Sequence, residues 1–269
     1  MEIINQLLNI DPNYILIGLI TVFFLMEMAV IRPFNFKGKF KHLFHSSLFR
    51  IVGIFLGSLL GFMFVTTFDY ISTNNFGLLN LFSIPLGIKI IVGFFIIDFA
   101  DYWLHRFDHK IPILWRFHRV HHSDTSMDAL TALRAYPTAG VYFTIGELFI
   151  SLIFGIDIMS MNIFLLILIP LQFIHHTNIQ YPIWVDKTLG WLIVMPNHHK
   201  VHHEQDQFYT DSNYGTIFII WDRLLGTFKT KPVNEIKYGL IEFEGSKKQS
   251  FLYLMKSPFI NIHRLKDKN

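Results

Sequence analysis

The sequence contains no cysteine among its 269 residues. Disulfide bonds, thiolate metal sites, iron–sulfur clusters and a cysteine nucleophile are therefore excluded. Charged side chains are also scarce, at 16% of residues against the roughly 25% usual in soluble domains, whereas 52% of residues are hydrophobic and 16% aromatic. So little polar side chain does not suffice to coat a water-soluble globule of this size. The composition excludes a disordered chain and predicts an integral membrane protein.

The small basic excess, a formal net charge of +3, does not indicate nucleic acid as a partner. The lysines and arginines lie in short flanks between apolar runs and form no motif that reads RNA or DNA. Anionic lipid headgroups at a membrane surface are the partner that this pattern favours.

Five apolar stretches are candidates for membrane-spanning helices, which need roughly 20 residues at a rise of 1.5 Å each. Residues 14–31, 51–68 and 84–104 are long enough. Residues 139–156 and 158–174 are shorter or interrupted, so they form either a full helical hairpin or one that enters the bilayer only partway. We predict an all-α, polytopic membrane protein with about three to five transmembrane helices and a histidine-rich helical cap.

The positions of lysine and arginine predict the orientation, because short loops rich in these residues stay in the cytoplasm. Residues 32–50 contain five of them and residues 69–83 contain none. We therefore expect the N-terminus outside, residues 105–134 and everything from 175 onward in the cytoplasm, and a bacterial inner membrane as the location. The expected regions are an N-terminal transmembrane part, 1–97, a catalytic part of the same single domain, 98–227, and a basic tail, 228–269.

Histidine is the residue type that the sequence concentrates, with 11 of its 14 copies between positions 105 and 203. Three groups have spacings of three or four residues, which put the rings on one helical face. These groups are His105 with His109; His118, His121 and His122; and His199, His202 and His203. A further pair, His175 and His176, ends the last apolar run. Neutral imidazole binds Fe, Zn, Cu and Ni, and nine candidates exceed what one ion can use, so the pattern predicts two metal ions.

Carboxylates near these groups are expected to hydrogen-bond the outer N–H of a ligand ring. The candidates for this role are Asp98, Asp101, Asp108 and Asp222, and Tyr102 lies with Asp98 on the helical face of His105.

The roles of several residues are open to two interpretations. His198 lies outside the spacing and His175 competes with His176, so each is only an alternative additional ligand. Glu147 either hydrogen-bonds within the hairpin or forms a polar part of a substrate path, because a carboxylate inside a membrane is costly. The isolated His42, His45 and His263 are interpreted as residues of the membrane interface rather than ligands.

The order and spacing of the motifs resemble the fatty acid hydroxylase and sterol desaturase superfamily. The motifs are D-x-x-x-Y-W-x-H-R-x-x-H at 98–109, L-W-x-x-H-R-V-H-H-S at 114–123, T-A-L-R at 131–134, H-T-N at 176–178, P-x-x-H-x-V-H-H at 196–203, N-Y-G at 213–215 and W-D-R-L-L-G-T at 221–227. The T-A-L-R stretch after the second histidine group looks most like the alkylglycerol monooxygenase-like branch.

The resemblance implies a non-haem site of two iron ions that uses O₂ and two electrons to attack an unactivated C–H bond of a lipid, giving a hydroxylated product or an alkene. The family's ligands fall on His105, His109, His118, His121, His122, His176, His199, His202 and His203. Some members have one more histidine before the third group, and only His175 or His198 stands near that place here. Nothing resembles a fused cytochrome b5 or flavin motif, so the electrons are expected from a separate reductase, ferredoxin or cytochrome b5-type donor.

Two other classes remain as alternatives. A zinc-dependent membrane hydrolase would use zinc-bound water, but the sequence has no H-E-x-x-H helix with its general base. Zinc is also a candidate to replace iron at the histidine site, because it binds such ligands more tightly than Fe(II) does. A metal transporter without catalysis would place its ligands near the bilayer midplane, whereas these histidines lie at predicted helix ends.

Overall fold

The computed structural model describes residues 12–30, 36–179 and 181–262. In these ranges the protein is all-α, with two isolated β-bridges and no strand, as the sequence predicts. The helices are α1 Pro12–Val30, α2 Phe36–Ser58, α3 Gly61–Asn74, α4 Leu86–Lys110, α5 Pro112–His122, α6 Pro137–Phe154, α7 Ile158–His176, α8 Trp184–Lys187, α9 Pro196–His202, α10 Gln207–Thr210, α11 Ile220–Leu224 and α12 Phe251–Lys256. Short 3₁₀ turns lie at Leu78–Leu81, Ala129–Leu133, Leu189–Trp191, Val233–Glu235, Ile241–Phe243 and Ser257–Phe259.

Proline and glycine set several helix ends. Proline occupies the first turn of α5, α6 and α9, where its missing N–H would have no helical partner in any case. Helix α6 ends at Gly155, which is left-handed at φ 66°, and Asp157 then caps α7 by accepting from the Met159 N–H at 2.7 Å. A Cβ at Gly155 would lie 2.3 Å from the Phe76 carbonyl oxygen, so this tight hairpin requires glycine.

The best candidates for membrane crossing are the hairpin helices α6 and α7, by length and composition. The sequence left open whether this hairpin is a full span, yet these are the two described helices that qualify alone. Helices α2 and α3 qualify together as a third span, bent by 48°. The predicted span at 51–68 lies within this pair, but it is not one continuous helix, because the helix breaks between Ser58 and Gly61.

The other two predicted spans correspond to α4 and α1. Helix α4 begins at Leu86, two residues after the predicted start, and continues to Lys110; its second half carries the buried Asp98, Asp101 and Asp108, and it does not qualify as a span by composition. Residues 14–30 of the predicted span 14–31 lie in α1, and residue 31 lies outside the described residues.

Two apolar clusters hold the helices that carry histidine. One joins α3, α4, α6 and α7 through buried side chains that include Ile71, Ile97 and Phe164. Helices α4 and α7 come close where Gly93 faces Ser160. The other cluster joins α2 and α5 to the C-terminal segment through Phe49, Val120 and others. The ends of α4 and α7 therefore meet α5 and α9 in a compact cap.

Candidate metal centre

Nine histidine rings converge in the cap as two adjacent clusters. Cluster A contains His105, His109, His118, His122 and His202, and cluster B contains His121, His176, His199 and His203. In each cluster one nitrogen per ring lies within 4.8 Å of all the others. Every ring is buried except that of His121, which is half-buried. These are the nine histidines that the sequence nominated.

The spacing of the inner nitrogens fits a metal ion. Two nitrogens that each lie about 2.1 Å from one ion are about 3.0 Å apart at a right angle and about 3.4 Å apart at the tetrahedral angle. In cluster A, His118 Nε2 lies 3.2 Å from His105 Nε2 and 3.1 Å from His122 Nε2.

In cluster B the same distances are 3.1 Å between His176 and His121, 3.0 Å between His199 and His176, and 3.1 Å between His203 and His199. Both sets match ligands that share an ion.

Helices α5 and α9 each divide their histidines between the clusters. On α5, His118 and His122 belong to cluster A and His121 to cluster B, although positions i, i+3 and i+4 lie on one broad helical face. At α9, His199 and His203 belong to cluster B and His202 to cluster A. Helix α4 supplies only cluster A and helix α7 only cluster B.

The outer nitrogens of three rings donate to backbone carbonyls, which turns the Nε2 atom of each toward the centre of its cluster. Nδ1 of His105 donates to the Tyr214 carbonyl at 2.8 Å, and Nδ1 of His202 donates to the Ser212 carbonyl at 2.7 Å. Nδ1 of His176 donates to the Gln172 carbonyl at 2.6 Å. Such contacts fix the tautomer and the direction of a ligand ring.

Carboxylates lie beside two further rings. His118 Nδ1 lies 3.3 Å from Asp108, one of the predicted carboxylates, and His109 Nδ1 lies 3.4 Å from Asp211. Sequence spacing does not identify Asp211, or the backbone carbonyls of Ser212 and Tyr214, as partners of the histidine rings. The N-Y-G motif beside them was the available signal.

Burial keeps the histidines of α5 and α9 neutral. It lowers the pKa well below the ordinary value for His118, His121, His122, His199, His202 and His203. Nearby histidines lower it further, since protonating one ring would repel the next. The inner Nε2 of His202 is buried without a hydrogen-bond partner. Neutral rings that direct lone pairs at one another are suited to hold a cation.

Contrary to expectation, three of the predicted supporting residues do not contact a histidine ring directly. Instead, Asp98, Tyr102 and Asp222 hold a loop that orients cluster A. Asp98 accepts from the Trp221 Nε1–H at 2.7 Å and from the N–H groups of Ile217 and Phe218 at 3.0 and 3.3 Å. All these donors belong to the segment that follows Tyr214, whose carbonyl holds His105.

Asp222 accepts from the backbone N–H groups of Tyr214 and Gly215 at 2.8 and 2.7 Å, and from the Thr227 hydroxyl. The Tyr102 hydroxyl also bonds to Thr227, at 2.9 Å. The three residues thus hold the chain that orients cluster A.

The two alternative ligands lie outside both clusters. His198 accepts from the Met195 N–H at 3.3 Å through Nδ1 and packs its ring against Phe228. The ring of His175 is buried, and its centroid lies 5.6 Å from that of His199.

The isolated histidines have different surroundings. His42 is not an interfacial residue, since its two nitrogens lie 2.7 and 3.1 Å from the buried carboxylates of Asp124 and Asp128. His45 is half-buried beside Phe251. His263 lies outside the described residues.

A cavity of about 440 Å³ opens beside the clusters. Rings from both clusters line it, together with mostly apolar side chains of the 129–136 loop, α6 and α7. Its carboxyl groups are Asp101 of α4 and Glu147 of α6, which hydrogen-bond to each other. Glu147 therefore takes part both in an interhelical hydrogen bond and in the wall of the cavity. The volume lies within the usual range for small-molecule sites.

Comparison with known proteins agrees with this arrangement. Residues 90–227 match the family model named fatty acid hydroxylase. The chain is 36% identical over 158 residues to the alkylglycerol monooxygenase of Danio rerio, covering 55% of this chain and 32% of that protein. It is 30% identical over 155 residues to the ornithine lipid hydroxylase OlsE of Rhizobium tropici, covering 55% and 44%. It is 29% identical over 160 residues to the cholesterol 25-hydroxylase of Mus musculus, covering 54% and 48%.

The chain thus spans about a third to a half of the length of these relatives. No solved structure is significantly similar to it. The matched region begins in α4 and ends after α11, and it contains both histidine clusters and the loop that orients them. The chain belongs to the fatty acid hydroxylase family.

Proposed function

We propose that this protein is a membrane-bound non-haem di-iron oxygenase that hydroxylates an unactivated C–H bond of a lipid. The observation that carries the proposal is the pair of histidine clusters opening on one largely apolar cavity. Hydroxylation is preferred over desaturation because the named relatives are hydroxylases and monooxygenases.

Iron bound at the clusters would supply the activation of O₂. Burial keeps eight of the nine imidazoles neutral and excludes water, and hydrogen bonds to backbone carbonyls direct the Nε2 atoms of His105, His176 and His202 inward. Nitrogen donors of this kind suit iron and zinc alike, so the donor set does not by itself favour one of the two.

The cavity would position the substrate. An acyl or sterol chain can lie against the apolar side chains of α6 and α7, which are the best candidates for crossing the bilayer. The reacting carbon then reaches buried histidines while the rest of the lipid stays in an apolar environment.

The reaction balances only with an external reductant. One lipid C–H group, one O₂, two electrons and two protons give one alcohol and one water. We propose a separate reductase, ferredoxin or cytochrome b5-type protein as the source of electrons. We also propose that the cap faces the cytoplasm of a bacterial inner membrane, with the N-terminus outside, as the lysine and arginine pattern predicts.

Metal analysis of anaerobically purified protein tests the site. We expect two iron ions per chain and lipid-dependent O₂ consumption once a reductant is added. His202→Ala removes a ring of cluster A and His121→Ala one of cluster B, so each variant should lose about one metal ion and its turnover while remaining in the membrane. His45→Ala, which changes a histidine outside both clusters, is the matched control and should keep both metals.

The alternatives predict different results. A zinc hydrolase would turn over lipid without O₂, and a transporter would bind metal without any turnover. Full metal content and activity in both cluster variants would remove the dinuclear assignment. Comparing the lipids of a deletion strain with those of its parent would identify the product.

A further inference from the structure

Arg50 lines the same cavity as the histidines but belongs to neither cluster. It lies on α2, in the part of the chain that precedes the matched family region. The cavity wall also includes Ala139 and Gly140 of α6, and a Cβ at Gly53, one turn after Arg50, would lie 4.0 Å from the Pro137 Cα, so this part of α2 lies beside the beginning of α6. The wall also contains rings of both clusters, namely His105, His118, His121, His176 and His199.

No hydrogen bond or ion pair holds the Arg50 guanidinium within residues 12–30, 36–179 and 181–262. The two carboxyl groups of the cavity, Asp101 and Glu147, hydrogen-bond to each other instead. Other arginines are held differently: Arg119 donates to the Ser257 carbonyl at 2.7 Å and Arg116 to the Ile260 carbonyl at 3.1 Å. Arg50 is itself exposed, so it presents a permanent charge at the open side of a largely apolar cavity, without a protein partner among the described residues.

A guanidinium in such a place is stabilised by an anion. Its planar fork donates two parallel hydrogen bonds to a carboxylate or phosphate, a geometry that lysine does not offer. The lining of the cavity on α6 continues from Ala139 to Glu147, a rise of about 12 Å at 1.5 Å per residue. An elongated molecule with an anionic end and an apolar body fits this distribution of charge.

We infer that Arg50 binds the anionic headgroup of the lipid substrate, either a carboxylate or a phosphate, and that the substrate is therefore an anionic lipid. This inference rests on the proposed function, because it assigns the occupant of the cavity to the substrate. It places the headgroup beside the beginning of α6 and the apolar chain along α6.

Lipid binding to the purified, metal-loaded protein under anaerobic conditions tests the inference without turnover. Three lipids with the same acyl chain serve as probes: oleate, dioleoylphosphatidic acid and the neutral monooleoylglycerol. Affinities are measured by native mass spectrometry from detergent. The wild-type protein should bind at least one of the anionic lipids about tenfold more tightly than the neutral one, since charged hydrogen bonds of this kind are worth about a factor of ten or more.

Arg50→Gln should remove that preference and leave the affinity for monooleoylglycerol unchanged, whereas Arg50→Lys should retain part of it. Arg116→Gln is the matched control, because Arg116 does not line the cavity, and it should bind all three lipids as the wild type does. A loss confined to oleate identifies a free fatty acid as the class, and a loss confined to phosphatidic acid identifies a phospholipid.

Equal affinity of the wild type for charged and neutral lipids would overturn the inference even if Arg50→Gln failed to fold. An equal loss for all three lipids in the variant would also overturn it, since Arg50 would then serve the fold or the surrounding bilayer. Metal content and O₂ consumption separate this outcome from failure of the proposed function. A protein that selects anionic lipids but consumes no O₂ would refute the oxygenase proposal alone.

Discussion

Asp98→Asn tests whether the loop after cluster A determines how tightly metal is held. The two carboxylate oxygens of Asp98 accept four hydrogen bonds. Oδ1 accepts from the Thr216 hydroxyl and the Ile217 N–H, both at 3.0 Å, and Oδ2 accepts from the Phe218 N–H and the Trp221 Nε1–H. Asn replaces one acceptor oxygen with a donor NH₂ group.

Either orientation of the new amide leaves a donor unsatisfied. If NH₂ takes the place of Oδ1, it faces the Ile217 N–H; if it takes the place of Oδ2, it faces the donors of Phe218 and Trp221. A buried unsatisfied donor costs about 1–3 kcal/mol. The Tyr214 carbonyl that orients His105 lies just before this segment, so we expect metal affinity at cluster A to fall by about tenfold or more, as for other groups that orient ligands.

Metal titration and thermal unfolding measure the two effects. We expect a lower melting temperature and a weaker affinity for metal, with the larger loss at cluster A. Asp157→Asn is the matched control, because it makes the same chemical change at the N-cap of α7, where Asn is as effective as Asp. Unchanged melting and metal affinity in Asp98→Asn would refute the role of this carboxylate.

Three further changes probe other parts of the molecule. Gly93→Ala puts a Cβ 2.8 Å from Ser160 Oγ and should destabilise the α4–α7 contact by about 1–3 kcal/mol, measured by denaturation in detergent. Thr144→Trp fills the cavity and should abolish turnover of long-chain lipids while iron content stays at the wild-type level. Burial would raise the pKa of Asp128, but His42 and Lys39 hold that pKa below its ordinary value. The ionised carboxylate therefore stabilises the fold above about pH 4, and this contribution is lost as the pH falls through the lowered pKa. Asp128→Asn should lower the melting temperature more at pH 7 than at pH 3.

Histidine spacing nominated eight of the nine cluster residues and the family resemblance supplied His176, but neither predicted how they divide between the clusters. Positions i, i+3 and i+4 on α5 share one face, and the sequence therefore treated His118, His121 and His122 as one group. The structure sends His121 to the other cluster, because helices α7 and α9 approach α5 from that side. Tertiary packing determines which helix approaches a given face, and sequence periodicity carries no information about it.

Other errors have equally specific causes. The sequence around His42 does not reveal its partners, because Asp124 and Asp128 reach it from a loop more than 80 residues away. Asp98 shares the face of His105, yet a carboxylate seven residues distant is two turns away and bonds instead to the 216–221 segment that packs there. Sequence spacing places residues on one helix, whereas hydrogen-bond partners come from whichever segment packs against it.

The division of ligands between helices makes the two clusters mechanically dependent on each other. Because α5 and α9 each contribute rings to both, neither helix can move without changing the nitrogen spacing in cluster A and in cluster B. The rings of His122 and His203 stack across the boundary with centroids 4.4 Å apart, so the clusters also share a wall. We therefore expect metal binding in one cluster to order the helices that form the other, and the loss of a ring from one cluster to weaken metal binding at its neighbour as well. The side chains that fix the outer nitrogens act on this whole unit, which is why a carboxylate as distant as Asp98 can influence a site that it does not touch.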